Sequence, residues 1–108
     1  MSYNIIATPK FKGELKRLAK KYPSLKDEYA ELIDQLVENP KSGVSIGHDC
    51  YKIRLAIASK GKGKFAGARV ITYLYIEETT VFLISIYDKS ERSNINDVEL
   101  LLLLKEIE

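Results

Sequence analysis

Between Tyr51 and Arg69 the sequence YKIRLAIASKGKGKFAGAR places six cations, Lys52, Arg54, Lys60, Lys62, Lys64 and Arg69, with no carboxylate among them. The formal net charge of the whole chain is only +2, so this charge is local. In YKIRLAIA, Tyr51, Ile53, Leu55 and Ile57 alternate with Lys52, Arg54, Ala56 and Ala58. A period of two predicts a strand with the aliphatics on a core face and both cations on the other. SKGKGKFAG follows as a hairpin loop, its glycines letting backbone and ammonium groups approach an anion. The returning strand ARVITYLYIE carries Arg69, Ile71, Tyr73 and Tyr75 on one face and Val70, Thr72, Leu74 and Ile76 on the other. If Arg69 shares the face of Lys52 and Arg54, the result is a basic surface with tyrosines beside it. Cations that hold phosphates and aromatic planes that take unstacked bases are what single-stranded RNA recognition needs. Cations on exposed strands also serve solubility and blunt edge pairing. What separates this stretch from that ordinary use is density, because uncompensated like charge this close repels itself unless a polyanion is the partner.

The rest of the composition narrows the chemistry. A chain of 108 residues is read as one domain, 1–108, with a single core. Its 45% hydrophobic and 30% charged residues are globular values. The single Cys50 leaves no internal disulfide framework and no cysteine-rich zinc site, and the single His48 leaves no multi-histidine metal site or histidine pair. His48 reads as a loop residue ahead of a strand. Any catalysis therefore falls to Lys, Arg, Tyr, Asp, Glu or Ser. MSYNIIATPK lacks the pattern of a signal peptide and no apolar run is long enough for a membrane span, so a cytoplasmic protein that does not engage membranes is expected.

Several elements must position the basic hairpin. Tyr3 to Ala7 is a short strand candidate, and Thr8 and Pro9 read as N-cap and first residue of a helix. Phe11, Leu15, Leu18 and Tyr22 recur on one helical face, with Lys10, Lys12, Lys16, Arg17, Lys20 and Lys21 on the others. Pro23 ends this helix. Ser24 and Asp27 resemble a capping box for a second, acidic helix built on Leu25, Tyr29, Leu32, Ile33, Leu36 and Val37. The two helices of opposite charge read as an antiparallel hairpin. Asn39 to Gly47 reads as a turn-rich connection. Thr79 to Tyr87, TTVFLISIY, is apolar at nearly every position, the pattern of a strand covered on both faces. It delivers Asp88, Lys89, Ser90, Glu91 and Arg92 to one end of the sheet. Asn96 and Glu99 form a capping box for a last helix whose run Leu100 to Leu104 is too broad for one narrow stripe; some of it is either wedged between core elements or covered by a partner.

The expected fold is α+β in the order β-α-α-β-β-β-α, a helical hairpin packed on a mostly antiparallel four-stranded sheet. With YKIRLAIASKGKGKFAGARVITY and LISIYDKSERSNI in place, this chain resembles the RelE/ParE superfamily of bacterial toxins, in particular its HigB-like and RelE-like branches. The resemblance implies a toxin of a type II toxin–antitoxin system. Its partners would be a cognate antitoxin, the ribosome and mRNA, its activity an mRNA endonuclease that inhibits translation and growth, and no metal or other cofactor would be needed. It assigns the basic residues of the first meander strand to Lys52 and Arg54, the arginine opening the next strand to Arg69, and the polar segment after the last strand to Lys89 through Arg92. RelE-like nucleases often carry a second arginine in that segment and a tyrosine in the following helix; here Ser90 and Ile95 stand near those places.

The chemistry of such an enzyme can be met by these residue types. RNA is cut without metal when its own 2′-OH attacks the adjacent phosphorus, which needs a base near the hydroxyl, donors for the phosphoryl oxygens and an acid for the leaving 5′-oxygen. Arg54 and Arg69 suit the phosphate clamp. Lys52 can act as base where neighbouring cations and desolvation depress its pKa. Tyr87 is a candidate for stacking or proton transfer, and Lys89 completes the expected catalytic set. Lys60, Lys62, Lys64, Tyr73 and Arg92 are the expected RNA-binding residues. Two other functions fit the same fold, a ParE-like inhibitor of DNA gyrase and a nuclease-inactive homologue acting only through protein binding.

Overall fold

Thr8 and Pro9 turn the chain from strand to helix as their residue types require. β1 (Asn4–Ala7) leads into α1 (Pro9–Lys21), where the Thr8 hydroxyl accepts the Phe11 N–H at 3.3 Å. The computed structural model describes residues 2–60, 67–92 and 94–107. After α1 come α2 (Leu25–Glu38), β2 (Val44–Gly47), β3 (Cys50–Leu55), a 3-10 turn at Ala58–Lys60, β4 (Ala68–Tyr75), a second 3-10 turn at Ile76–Glu78, β5 (Thr80–Asp88) and α3 (Asp97–Lys105). The strands make one sheet in the order β1-β5-β4-β3-β2, parallel between β1 and β5 and antiparallel elsewhere.

The α+β class and element order are those expected, with one strand more. Val44–Gly47, read from sequence as connection, pairs with β3 to make a fifth strand. His48 and Asp49 both take left-handed backbone (φ 56° and 60°), giving a two-residue hairpin turn between the strands. Gly43, at φ +94°, brings the chain into β2, where a Cβ would lie 2.4 Å from the Lys52 carbonyl oxygen. Gly43→Ala is therefore expected to destabilise the fold by about 1–3 kcal/mol and to push β2 off Lys52. Chemical denaturation together with amide exchange at Lys52 checks this.

α1 and α2 cover one face of the sheet. Phe11, Leu18, Leu25, Leu32 and Leu36 pack there against Ile53, Val70, Leu74, Val81, Leu83 and Ile86. α3 covers part of the other face, with Leu100 and Leu103 buried against Cys50, Ile71, Ile84 and Tyr87. The Asn96–Glu99 capping box at its start forms in full. Leu101 and Leu102 face outward, so the leucine run is divided between core and surface. The Ser24–Asp27 box does not form. Ser24 already has helical dihedrals, and its hydroxyl meets Ser59 at 2.8 Å and Glu28 at 3.2 Å instead. The cations at the end of α1 reach past the sheet: Arg17 and Lys21 lie 3.0 and 3.9 Å from Glu91.

One irregularity decides which residues of β5 reach which face. Ile71 pairs with Ser85 but Thr72 pairs with Leu83, so Ile84 is an extra residue on β5. Strict alternation would place Leu83 and Tyr87 on the same face. The bulge reverses the phase, leaving Val81, Leu83 and Ile86 under the helical hairpin and sending Ile84 and Tyr87 to the α3 side. Beyond Ala7, β5 loses its β1 neighbour, and Glu14 of α1 takes over by accepting the Ile86 N–H (3.2 Å) and the Ser85 hydroxyl (3.1 Å).

Candidate functional site

β3 and β4 run antiparallel with Arg54 directly opposite Arg69, and β4 sets Arg69 opposite Tyr87 on β5. Lys52 lies two residues from Arg54 and so shares its face. With the phase of β5 shifted by the bulge, Lys89 joins the same side just beyond the strand end. The outcome is a hollow of about 280 Å³ lined by Gly43, Val44, Lys52, Arg54, Arg69 and Lys89. Among the described residues, four cations and no carboxylate form its walls. Arg69 is its buried element, 5% exposed, with its guanidinium donating to the Ala68 carbonyl at 3.2 Å, while Arg54 is exposed.

The loop carrying Lys89 is held firmly. Asp88, fully buried, accepts the Tyr22 hydroxyl at 2.7 Å through one oxygen and the Ser90 N–H and hydroxyl at 2.9 and 2.7 Å through the other. The Lys89 N–H donates to the Gly67 carbonyl at 3.1 Å, fixing the loop against the start of β4. From the far side, the Lys52 ammonium donates to Asn94 at 3.3 Å. Asp88, Asn94, Gly43 and Val44 were not singled out for the site by sequence. For the first two, small polar residues flanking the cationic loop were the available signal; for β2 there was none short of its pairing.

The remaining expected site residues are distributed as follows. The side chain of Lys60 and all of Lys62 and Lys64 lie outside the described residues. Tyr73 shares the face of Arg69 but stands four residues along β4, in a different cavity, stacked on Tyr75 and Phe82 at 6.3 and 6.2 Å between ring centroids. Arg92 does not line the basic hollow. Its guanidinium lies 2.5 Å from Glu99 and 5.2 Å from the centre of the Tyr87 ring, joining the post-strand loop to α3. The Glu99 carboxyl is held below its usual range, first by that hydrogen bond and then by the backbone N–H of Asn96. Ser90 serves Asp88, and Ile95 faces a separate recess beside Arg92.

Tyr87 is covered. Its hydroxyl is buried with no hydrogen-bond partner among the described residues, and burial pushes its pKa up, against the opposing pull of Arg92 and Arg69. Tyr87→Phe is accordingly expected to keep the parental activity and to stabilise the fold by about 1 kcal/mol, since a desolvated, unpaired hydroxyl is removed. Urea unfolding and an activity assay on the same preparation check both parts. Cys50, buried beneath α3, has its thiol pushed up to about 12, chiefly by burial and secondarily by the Asp49 charge, and is no nucleophile.

Comparison with known proteins bears on the fold and the family. Over its full length the chain superposes on a substituted E. coli toxin RelE in the free state, covering 100% of that chain with a TM-score of 0.67 at 19% identity. It also matches the intact E. coli RelBE toxin–antitoxin complex (TM-score 0.61, 20% identity, 81% of this chain and 96% of that one). A further match is to a substituted E. coli RelE bound to an antitoxin peptide (TM-score 0.60, 22% identity, 84% of this chain and 90% of that one). At these identities the superpositions show the fold. The family model described as the RelE toxin of the RelE/RelB toxin–antitoxin system matches residues 10–107, nearly the whole sequence. The chain therefore belongs to the RelE toxin family.

Proposed function

We propose that this toxin is a ribosome-dependent mRNA endonuclease whose cleavage centre is the basic hollow, kept inactive by a cognate antitoxin. The observation that carries the reading is the convergence of Lys52, Arg54, Arg69 and Lys89 on one recess that no carboxylate lines among the described residues. Such a recess suits a phosphodiester and the extra negative charge it gains on the way to cleavage. Arg54 and Arg69, opposed across two strands, grip the non-bridging oxygens. Lys52 and Lys89, on opposite walls, are placed to handle the two protons: one leaves the 2′-OH as it bonds to phosphorus, the other reaches the departing 5′-oxygen. The products are a 2′,3′-cyclic phosphate and a free 5′-hydroxyl, and the chemistry uses side chains of this chain only. An antitoxin partner is supported by the E. coli RelE matches in which RelE is bound to its antitoxin or to a peptide from it.

The test is induction of the protein in cells followed by mapping of transcript ends. New 5′-hydroxyl ends inside translated messages, absent when Arg54 is replaced by alanine, are expected. Arrested growth with intact messages would remove the nuclease reading.

A further inference from the structure

A cavity of about 590 Å³ lies on the same sheet face as the basic hollow but at the other end of β4. Arg69 and Tyr75 are six residues apart, roughly 20 Å along a strand, so the two recesses are separate. The chemistry of the second is opposite in sign. Asp49 from the β2–β3 turn and Glu77 from the 3-10 turn after β4 supply carboxylates, Tyr73 and Tyr75 supply rings, and Leu104 and Ile107 from the end of α3 close it with aliphatic surface. His48 also lines it, with its Nε2 3.8 Å from the carboxylate of Asp97, which is not among the lining residues. No lysine or arginine lines it among the described residues, in a chain whose net charge is positive.

The rings are held in place before anything binds. Tyr75, Tyr73 and Phe82 form a ladder with centroids 6.3 and 6.2 Å apart and interplanar angles of 27° and 22°. Fixed aromatic faces beside carboxylates attract a flat, weakly hydrated cation, and aliphatic walls take the methylene stem that carries it. A guanidinium meets all three demands at once, stacking on a ring while hydrogen-bonding a carboxylate.

We infer that this cavity receives an arginine side chain presented by a partner protein. The inference stands apart from the nuclease reading, because none of its residues lines the basic hollow. Charge complementarity selects a basic protein segment and disfavours nucleic acid, whose phosphates would meet Asp49 and Glu77.

The probe is N-acetyl-arginine methylamide, titrated into the intact toxin and followed through the ring resonances of Tyr73 and Tyr75. A saturable shift with a dissociation constant on the order of 1 mM is expected, with none for the uncharged isostere N-acetyl-citrulline methylamide. The double variant Asp49→Asn, Glu77→Gln should lose the shift. Asparagine tolerates the left-handed backbone of position 49 and residue 77 is exposed, so this variant keeps the parental fold. Arg54→Ala, in the other recess, should bind the probe as the parent does, even if it cleaves no RNA. Absence of saturation, equal binding of the citrulline compound, or an undiminished shift in the double variant would overturn the proposal.

Discussion

Replacing Arg69 by alanine is expected to slow message cleavage by on the order of 10²–10³-fold, the loss typical of removing one preorganised donor to a developing oxyanion. Arg69 is the residue of the hollow that solvent reaches least, so its guanidinium acts where water screens it least. It also faces Arg54 across the β3–β4 ladder, a like-charge pair that costs stability when no anion is present. The substitution should therefore leave the thermal midpoint at the parental value, relief of repulsion offsetting the lost packing of the arginine stem. Arg69→Lys keeps the charge but not the two-pronged donor and should restore only part of the rate. Initial rates on a defined message in a reconstituted translation system, with thermal unfolding of the same samples, measure both effects. Parental cleavage by Arg69→Ala would end its assignment to the phosphate clamp.

Phe11→Ala is expected to cost about 3–5 kcal/mol, the usual range for deleting a fully buried aromatic side chain. Phe11 is 0% exposed, packs at 5.9 Å from the Tyr29 ring and anchors α1 to the sheet. Against a total stability of about 5–15 kcal/mol for a domain of this kind, little would remain. The consequence extends to the site, since α1 and its C-cap residue brace the Lys89 loop, Arg17 against Glu91 and Tyr22 against Asp88. Lys12→Ala, on the exposed face of the same helix, should change stability by no more than about 0.5 kcal/mol. Urea midpoints of the two variants, compared with the parent, decide the matter.

Much of this architecture could be read from residue patterns. The 3.6-residue recurrence of Phe11, Leu18, Leu25, Leu32 and Leu36 marked both helices of the hairpin, and the apolar run of β5 marked a strand buried on both faces. Alternation also put Lys52 and Arg54 on one face, and the β3–β4 register, which sequence left open, adds Arg69 to the same hollow. What escaped has specific causes. β2 is a four-residue edge strand entered and left through glycines, and its strand character comes from pairing with β3 rather than from its composition. Tyr73 shows that a common face is not a common site: four residues along a strand separate it from Arg69 by about 13 Å. Tyr87 reached the face of Arg69 only through the bulge, which no periodicity announces, and α3 then covered it. Arg92 was drawn to Glu99, a partner seven residues on across a helix start whose geometry composition does not encode. The family resemblance agrees with the match of the family model over residues 10–107.

The parallel pairing of β1 with β5 bears on when the sheet can close during synthesis. Asn4 finds its sheet neighbour in Thr80, more than two-thirds of the chain later. A growing polypeptide must leave its first strand without hydrogen-bonding company until the last strand has been translated, and distant pairing of this kind slows folding. Lys89 lies later still, so the recess cannot assemble on a half-made chain. The order of the strands alone thus ties completion of the sheet to completion of the chain.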